Sequence, residues 1–267
     1  MKNKKNRLLA FALLPMLLGN MGICLGQQKK SAKEEPKFPT FTPAQLDSLR
    51  KVAEVRLHKD WAYFEKYLVE NANLPPVSQG EKRVVFMGNS ITEFWKFWDS
   101  DFFTENKSFI DRGISGQTTP QMLIRFRSDV INLNPSIVVI LAGTNDIAGN
   151  TGPTTLENIY GNIVSMSELA KANHIKVILC SILPVYEYPW SPGLEPAGKI
   201  MKLNAMLLSY AKKNSIVYVD FHTPMADGRN GLKAEYTPDG VHPNLAGYKV
   251  MDELVKKAIT KTLKTKQ

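Results

Sequence analysis

Cysteine and histidine are scarce in this chain of 267 residues, which has two of the first, Cys24 and Cys180, and four of the second. Cys24 lies in a leader-like stretch, and its removal leaves Cys180 alone, so no intramolecular disulfide is then possible. Cys180 ends the apolar run Val177-Ile178-Leu179 and reads as a buried structural thiol rather than a nucleophile. No histidine pair or acidic cluster has the spacing of metal ligands, so neither a metal nor any other cofactor is expected. A phosphate-cradling run of hydroxyl and glycine residues is missing after the first expected strand, which argues against a flavin-binding chain. Internal repeats and low-complexity tracts are absent too. The apolar run Leu8 to Leu18 is too short to span a bilayer and no longer one follows, so stable membrane insertion is not expected.

Residues 1–26 have the make-up of a secretory signal. Lys2, Lys4, Lys5 and Arg7 precede the apolar run, and Cys24-Leu25-Gly26 places small residues where a signal peptidase inspects. The chain is therefore expected to be exported to the periplasm or medium. Lipid anchoring at Cys24 is the alternative, weakened by the bulky Ile23 before it. The leader takes four of the 34 basic residues and none of the 25 acidic ones, so the net charge falls from +9 to about +5. Much of that excess sits at Lys256, Lys257, Lys261, Lys264 and Lys266. With no aromatic residue interleaved, this is a solvated helix face and not a nucleic-acid site.

Residues 27–40 read as a flexible tether. Residues 41–76 read as a helical extension: Thr42-Pro43 supplies an N-cap and a proline at the first helical position. Leu46, Leu49, Val52, Val55, Trp61, Phe64 and Leu68 then recur at helical spacing, which predicts one helix over Ala44 to Asn71 packed on the domain, ended by Leu74-Pro75-Pro76. Residues 77–267 form the domain proper. There, apolar runs at Val84–Met87, Phe109–Ile110, Ile137–Leu141, Val177–Cys180 and Ile216–Val219 alternate with segments of helical period: Pro120–Asn132, Leu156–Ala172, Lys199–Lys213 and Leu245–Leu263. Strand–helix alternation of this kind predicts a three-layer α/β/α sandwich around a five-stranded parallel sheet of flavodoxin-like order 2-1-3-4-5.

The residues suited to chemistry collect where these strands end. Gly88-Asn89-Ser90 lies where the first strand turns into a helix, exposing a hydroxyl beside helical amides. Taken alone, Ser90 reads as an ordinary N-cap, and only the downstream stretches favour a nucleophile. After the second strand comes Arg112-Gly113-Ile114-Ser115-Gly116-Gln117, and after the third Gly143-Thr144-Asn145-Asp146. In the order 2-1-3-4-5 these loops flank Ser90, so the amides of Ser90 and Gly116 and the Asn145 side chain can converge on one oxygen. Before the last helix, Pro238-Asp239-Gly240-Val241-His242-Pro243 sets a carboxylate and an imidazole three residues apart, a spacing that can fix the tautomer of a general base. His222, with Asp220 nearby, is the rival base.

In this order the four stretches resemble the signatures of the SGNH hydrolases, also called the GDSL esterase/lipase family, over roughly Lys82 to Leu263. The resemblance implies Ser90 as nucleophile, Asp239 and His242 completing the triad, and Ser90, Gly116 and Asn145 as the oxyanion hole. One departure is Asn89, where the family usually has aspartate. The implied function is a secreted serine esterase acting on short-acyl esters, acetyl groups on carbohydrate in particular, with a small-molecule or glycan ester as partner. A lipase or lysophospholipase-type acylhydrolase and a noncatalytic glycan- or lipid-binding module on the same fold are the alternatives, and acyl transfer would use the same residues. Phe94, Trp95, Phe97 and Trp98, with Tyr186, Tyr188 and Trp190, suit sugar-stacking platforms, a helix core face or walls of an acyl groove.

Overall fold

The computed structural model describes residues 42–265, so the leader and the tether lie outside the described residues. Five strands, β1 (Val84–Gly88), β2 (Phe109–Gly113), β3 (Ile137–Leu141), β4 (Lys176–Cys180) and β5 (Val217–Val219), form one all-parallel sheet in the order β2-β1-β3-β4-β5. Every residue of β1 and β3 is buried, as expected of strands covered on both faces.

Alternate side chains of each strand enter different layers, because successive Cβ atoms point to opposite faces. Val85, Met87, Val138, Ile140, Val177 and Leu179 face helices α5 (Thr119–Asp129), α7 (Leu156–Ala172) and α8 (Pro196–Lys213), which contribute Met122, Phe126, Ile163, Met166, Leu203 and Leu207. Val84, Phe86, Ile137, Val139, Ile178 and Cys180 face α3 (Ser90–Trp98), α4 (Ser100–Thr104) and α10 (Leu245–Lys264). Cys180 is fully enclosed, and burial pushes its thiol far above the ordinary range, in keeping with a structural role. Two short helices, α6 (Thr144–Ile147) and α9 (His222–Met225), follow β3 and β5.

The N-terminal extension differs from its expectation. Instead of one helix it forms two, α1 (Pro43–Lys59) and α2 (Glu65–Asn73). Thr42 caps α1 in a reciprocal box with Gln45, as its sequence implies. The break falls at Asp60, whose carboxylate accepts the Phe64 and Glu65 N–H groups at 2.9 and 3.0 Å and so starts a second helix. Tyr63 stands between with a φ of 56°, a left-handed residue that no continuous helix contains. The turn also re-aims the side chains. Val52, Val55, Trp61, Phe64 and Leu68 are exposed, and Ala53, Ala62, Tyr63 and Tyr67 are buried, the two tyrosines packing on Ile114. Among the described residues no helix is long and apolar enough to cross a membrane.

Candidate active site

The register of the sheet brings the chemistry together. Gly88 of β1 pairs with Gly113 of β2 on one side and Leu141 of β3 on the other, so the loops leaving all three strands emerge side by side. Asn89, not Ser90, is the N-cap of α3: its Oδ1 accepts the Ile91 N–H at 3.0 Å. Asparagine thus does the capping of which aspartate is equally capable. Ser90 occupies the first helical position, which leaves its hydroxyl free to turn away from the helix, and its Oγ lies 2.9 Å from His242 Nε2.

On the far side of the imidazole, His242 Nδ1 lies 2.7 Å from Asp239 Oδ2. The other carboxylate oxygen, Oδ1, accepts the Val241 and His242 N–H groups at 2.9 and 2.8 Å. Thr237 Oγ1 receives the Gly240 N–H at 2.9 Å and donates to His242 O at 2.8 Å, closing the turn. Burial alone would raise the Asp239 pKa, but the neighbouring His242 and these hydrogen bonds outweigh it and hold the carboxyl below its usual range. Asp239 is therefore an anion that accepts from Nδ1, which leaves Nε2 to face Ser90 as the acceptor. Ser90 and His242 are each only 3% exposed. Phe94 and Trp190 flank the imidazole, with ring centroids 5.5 and 6.2 Å away.

Gly116 has a φ of 78°, a conformation costly to any side-chain-bearing residue, and its N–H is engaged by no acceptor among the described residues. Asn145 is buried and gives one amide proton to Gln117 O at 2.9 Å, leaving its second N–H available. Ser90, Gly116 and Asn145 thus present donors at three adjacent strand ends. Close approach reinforces the arrangement at Gly113: a Cβ there would lie 2.2 Å from Glu93 N and 2.7 Å from Asn89 O, so β2 ends directly against the start of α3.

The rival histidine and a further aspartate find different places. His222 follows the edge strand β5, where its backbone N–H donates to Ser181 Oγ at 2.9 Å, and burial lowers its pKa. It has no hydrogen bond to Ser90 or Asp239. Asp146 accepts the Thr119 N–H and Oγ–H and so ties α6 to the start of α5. Among the described residues no group of three or more histidine, cysteine, aspartate or glutamate side chains is placed to hold a metal ion.

The aromatic residues separate sharply. Phe94, Trp95 and Trp98 are buried, with Trp95 stacked on Phe102 at 4.9 Å and edge-on to Phe86, so this run is a core face and not a sugar platform. Tyr188 is also enclosed, its hydroxyl paired with Thr144 Oγ1 at 2.8 Å. Trp190 is the one of the later group that reaches the histidine. Its Nε1 donates to Asn150 Oδ1 at 3.2 Å, and Asn150 Nδ2 donates to Gly116 O at 3.2 Å.

Several polar residues around the site carry no sequence signal of their role. Arg125 is wholly buried, pairs with Asp129 at 2.9 Å, and donates to Gly88 O, Arg112 O and Gln117 Oε1, bracing the ends of β1 and β2. Ser90-Ile91-Thr92-Glu93 has the spacing of a capping box, which would be the sequence clue to Glu93, but Glu93 instead accepts from Ser115.

A parallel sheet in this order, with serine, histidine and aspartate hydrogen-bonded in series beyond its strand ends, is an arrangement suited to a serine ester hydrolase. The profile of the GDSL-like Lipase/Acylhydrolase family matches residues 86–250, and the chain belongs to that family. It is similar to a GDSL-like lipase from Bacteroides thetaiotaomicron whose crystal structure is 52% identical, with a TM-score of 0.74 over 76% of this chain and 99% of the other. A second crystal structure, from Bacteroides fragilis, is 54% identical with a TM-score of 0.75, covering 77% of this chain and 99% of that one. Esterase TesA of Pseudomonas aeruginosa is 29% identical over 138 residues, 51% of this chain and 62% of TesA. The chain spans between 15% and 62% of the length of the curated relatives it matches.

Proposed function

We propose that this chain is an exported serine esterase that removes short acyl groups, acetyl above all, from a carbohydrate or other small alcohol. The observation that carries the reading is the unbroken relay from Asp239 through His242 to Ser90, at 2.7 and 2.9 Å. His242 Nε2 takes the Ser90 proton as Oγ attacks the ester carbonyl, and the imidazolium is held by the Asp239 carboxylate. The carbonyl oxygen gains negative charge and receives the N–H groups of Ser90, Gly116 and Asn145. His242 then returns the proton to the leaving alcohol, and water repeats the cycle on the acyl-enzyme.

One feature supports a short acyl group. Trp190 and Asn150 close the site beside His242 and Gly116 with a hydrogen-bonded wall. Half-exposed Trp190 and the exposed Trp61 on the cavity bordering Gly116 supply flat apolar faces on which a sugar ring can stack. The leader-like make-up of residues 1–26 supports a setting among extracellular polymers.

Hydrolysis of para-nitrophenyl esters from acetate to palmitate, beside acetate release from acetylated xylan, tests the reading. Acetyl should be the preferred group, Ser90→Ala should lower turnover by about a millionfold, and a fluorophosphonate should label Ser90 alone. Faster turnover on octanoyl or longer esters would favour a lipase, and a Ser90→Ala variant retaining half the activity would remove the mechanism.

A further inference from the structure

The family match begins at Phe86, so α1 and α2 lie outside it. Their contacts with the domain nevertheless converge on the loop that carries Gly116. Lys66 of α2 pairs with Glu93 at 2.7 Å, both side chains largely covered at 12% and 13% exposure. The second oxygen of Glu93 accepts both the Ser115 N–H, at 2.8 Å, and the Ser115 hydroxyl. Tyr67 donates its hydroxyl to Gly113 O. Gln117 gives its side-chain N–H to Ala62 O at 2.7 Å while its Oε1 receives Arg125, and Gln121 donates to Trp61 O at 2.7 Å.

Positions 113, 115 and 117 are thus each tied down, two directly by the extension and one through a carboxylate that the extension holds. The residue between the last two is Gly116. Gln117 in turn receives the Asn145 amide, so the side-chain donor of the hole rests on the same strut.

We propose that Lys66 is a positioning residue for the oxyanion hole, acting through Glu93 and Ser115 to fix the peptide that presents the Gly116 N–H. A glycine at positive φ is free to reorient, and a donor contributes to catalysis only when it is already aimed at the oxyanion. Two hydrogen bonds from Ser115 to one carboxylate oxygen hold the Ile114–Ser115 peptide and the Ser115 side chain, and so the residue from which the Gly116 peptide continues. Lys66 keeps that carboxylate in place, because a covered charge without its partner turns toward solvent. The inference rests on the esterase reading of the same site.

Lys66→Met, Lys66→Arg and Glu93→Gln in the full chain test it. Lys66→Met is expected to lower kcat about tenfold with KM changed less than about twofold, since a small misplacement of a catalytic group acts on the transition state. Affinity for an alkylboronic acid, which forms a tetrahedral adduct on the serine, should fall by a similar factor. Lys66→Arg should restore kcat to within about threefold of wild type. Amide exchange in the 113–118 segment should quicken in Lys66→Met, a readout that needs no turnover. Glu93→Gln keeps an oxygen for Ser115 and drops the charge that Lys66 meets, so it carries the same test if Lys66→Met fails to fold. Unaltered kcat and exchange in a Lys66→Met variant of an active enzyme would overturn the positioning role alone. A wild-type chain inert on every ester would instead remove the esterase reading, with the exchange result still deciding whether Lys66 holds the loop.

Discussion

Exchanging one oxygen for an NH2 group at Asp239 should reverse the direction of every hydrogen bond in the relay. In Asp239→Asn the side-chain oxygen is confined to the Oδ1 position, where the Val241 and His242 N–H groups at 2.9 and 2.8 Å accept no second donor. The new NH2 therefore faces His242 Nδ1 at the site of a 2.7 Å contact. Nδ1 must accept, the ring proton moves to Nε2, and Nε2 then donates to Ser90 instead of accepting from it. The general base is gone with no atom displaced. The same exchange in a Ser-His-Asp protease triad lowers kcat by about ten-thousandfold, equivalent to about 5.5 kcal/mol of barrier. Steady-state hydrolysis of para-nitrophenyl acetate should show that loss in kcat, with KM within about threefold, and fluorophosphonate labelling of Ser90 should slow in parallel. The midpoint of thermal unfolding should stay nearly constant, because both backbone N–H groups keep their acceptor. Retention of a tenth of wild-type kcat, or a loss that tracks a fall in the unfolding midpoint, would refute the tautomer argument.

Asn145→Ala should lower kcat by about a hundred- to a thousandfold with KM little changed, as the loss of one oxyanion donor does; an unchanged rate would remove Asn145 from the hole. Asn89→Asp should leave activity within about threefold, because the two residues are equivalent N-caps and Asn89 acts here through its oxygen on the Ile91 N–H; a tenfold change in kcat would show a different role. Asp252 receives the Trp95 N–H at 2.7 Å, and burial together with Asp99 raises its pKa to about 7. A raised carboxyl contributes stability that is complete below the ordinary carboxylate pKa and is lost as pH rises through about 7, so the unfolding midpoint should fall between pH 5 and 8 by about 2–4 °C. Asp252→Asn keeps the oxygen for Trp95 and should flatten that slope, and an equally steep slope in the variant would exclude this pair as its source.

The sheet was legible because β1, β3 and most of β4 are buried on both faces and therefore read as unbroken apolar runs, which no helix face needs. Ser90, Asp239 and His242 were legible for a related reason: each sits at a strand end or turn where a motif of a few residues sets the local geometry. The extension misled the helical count because Val52, Val55, Trp61, Phe64 and Leu68 keep a helical spacing although the turn at Asp60 leaves them exposed. Periodicity reports which residues share a face, not whether another element covers it. The aromatic run Phe94 to Trp98 was ambiguous on composition, and only its packing against Phe86 and Phe102 assigns it to the core. Lys66, Glu93, Ser115 and Arg125 had no legible role, since ion pairs and hydrogen bonds between residues tens of positions apart leave no spacing in the sequence.

Gly113 has a consequence for how the enzyme fails. With Glu93 N and Asn89 O standing 2.2 and 2.7 Å from where its Cβ would be, the strand that leads to Gly116 and the helix that begins at Ser90 have no clearance between them. Neither can loosen without shouldering the other aside, so the two halves of the reaction centre share one opening event. Heating is therefore not expected to accumulate molecules in which the end of the Gly113 strand has left its seat while the start of the Ser90 helix keeps its own. On heating, loss of turnover and loss of serine labelling should follow a single decay, and a population of such enzymes ages by counting down intact copies instead of wearing out.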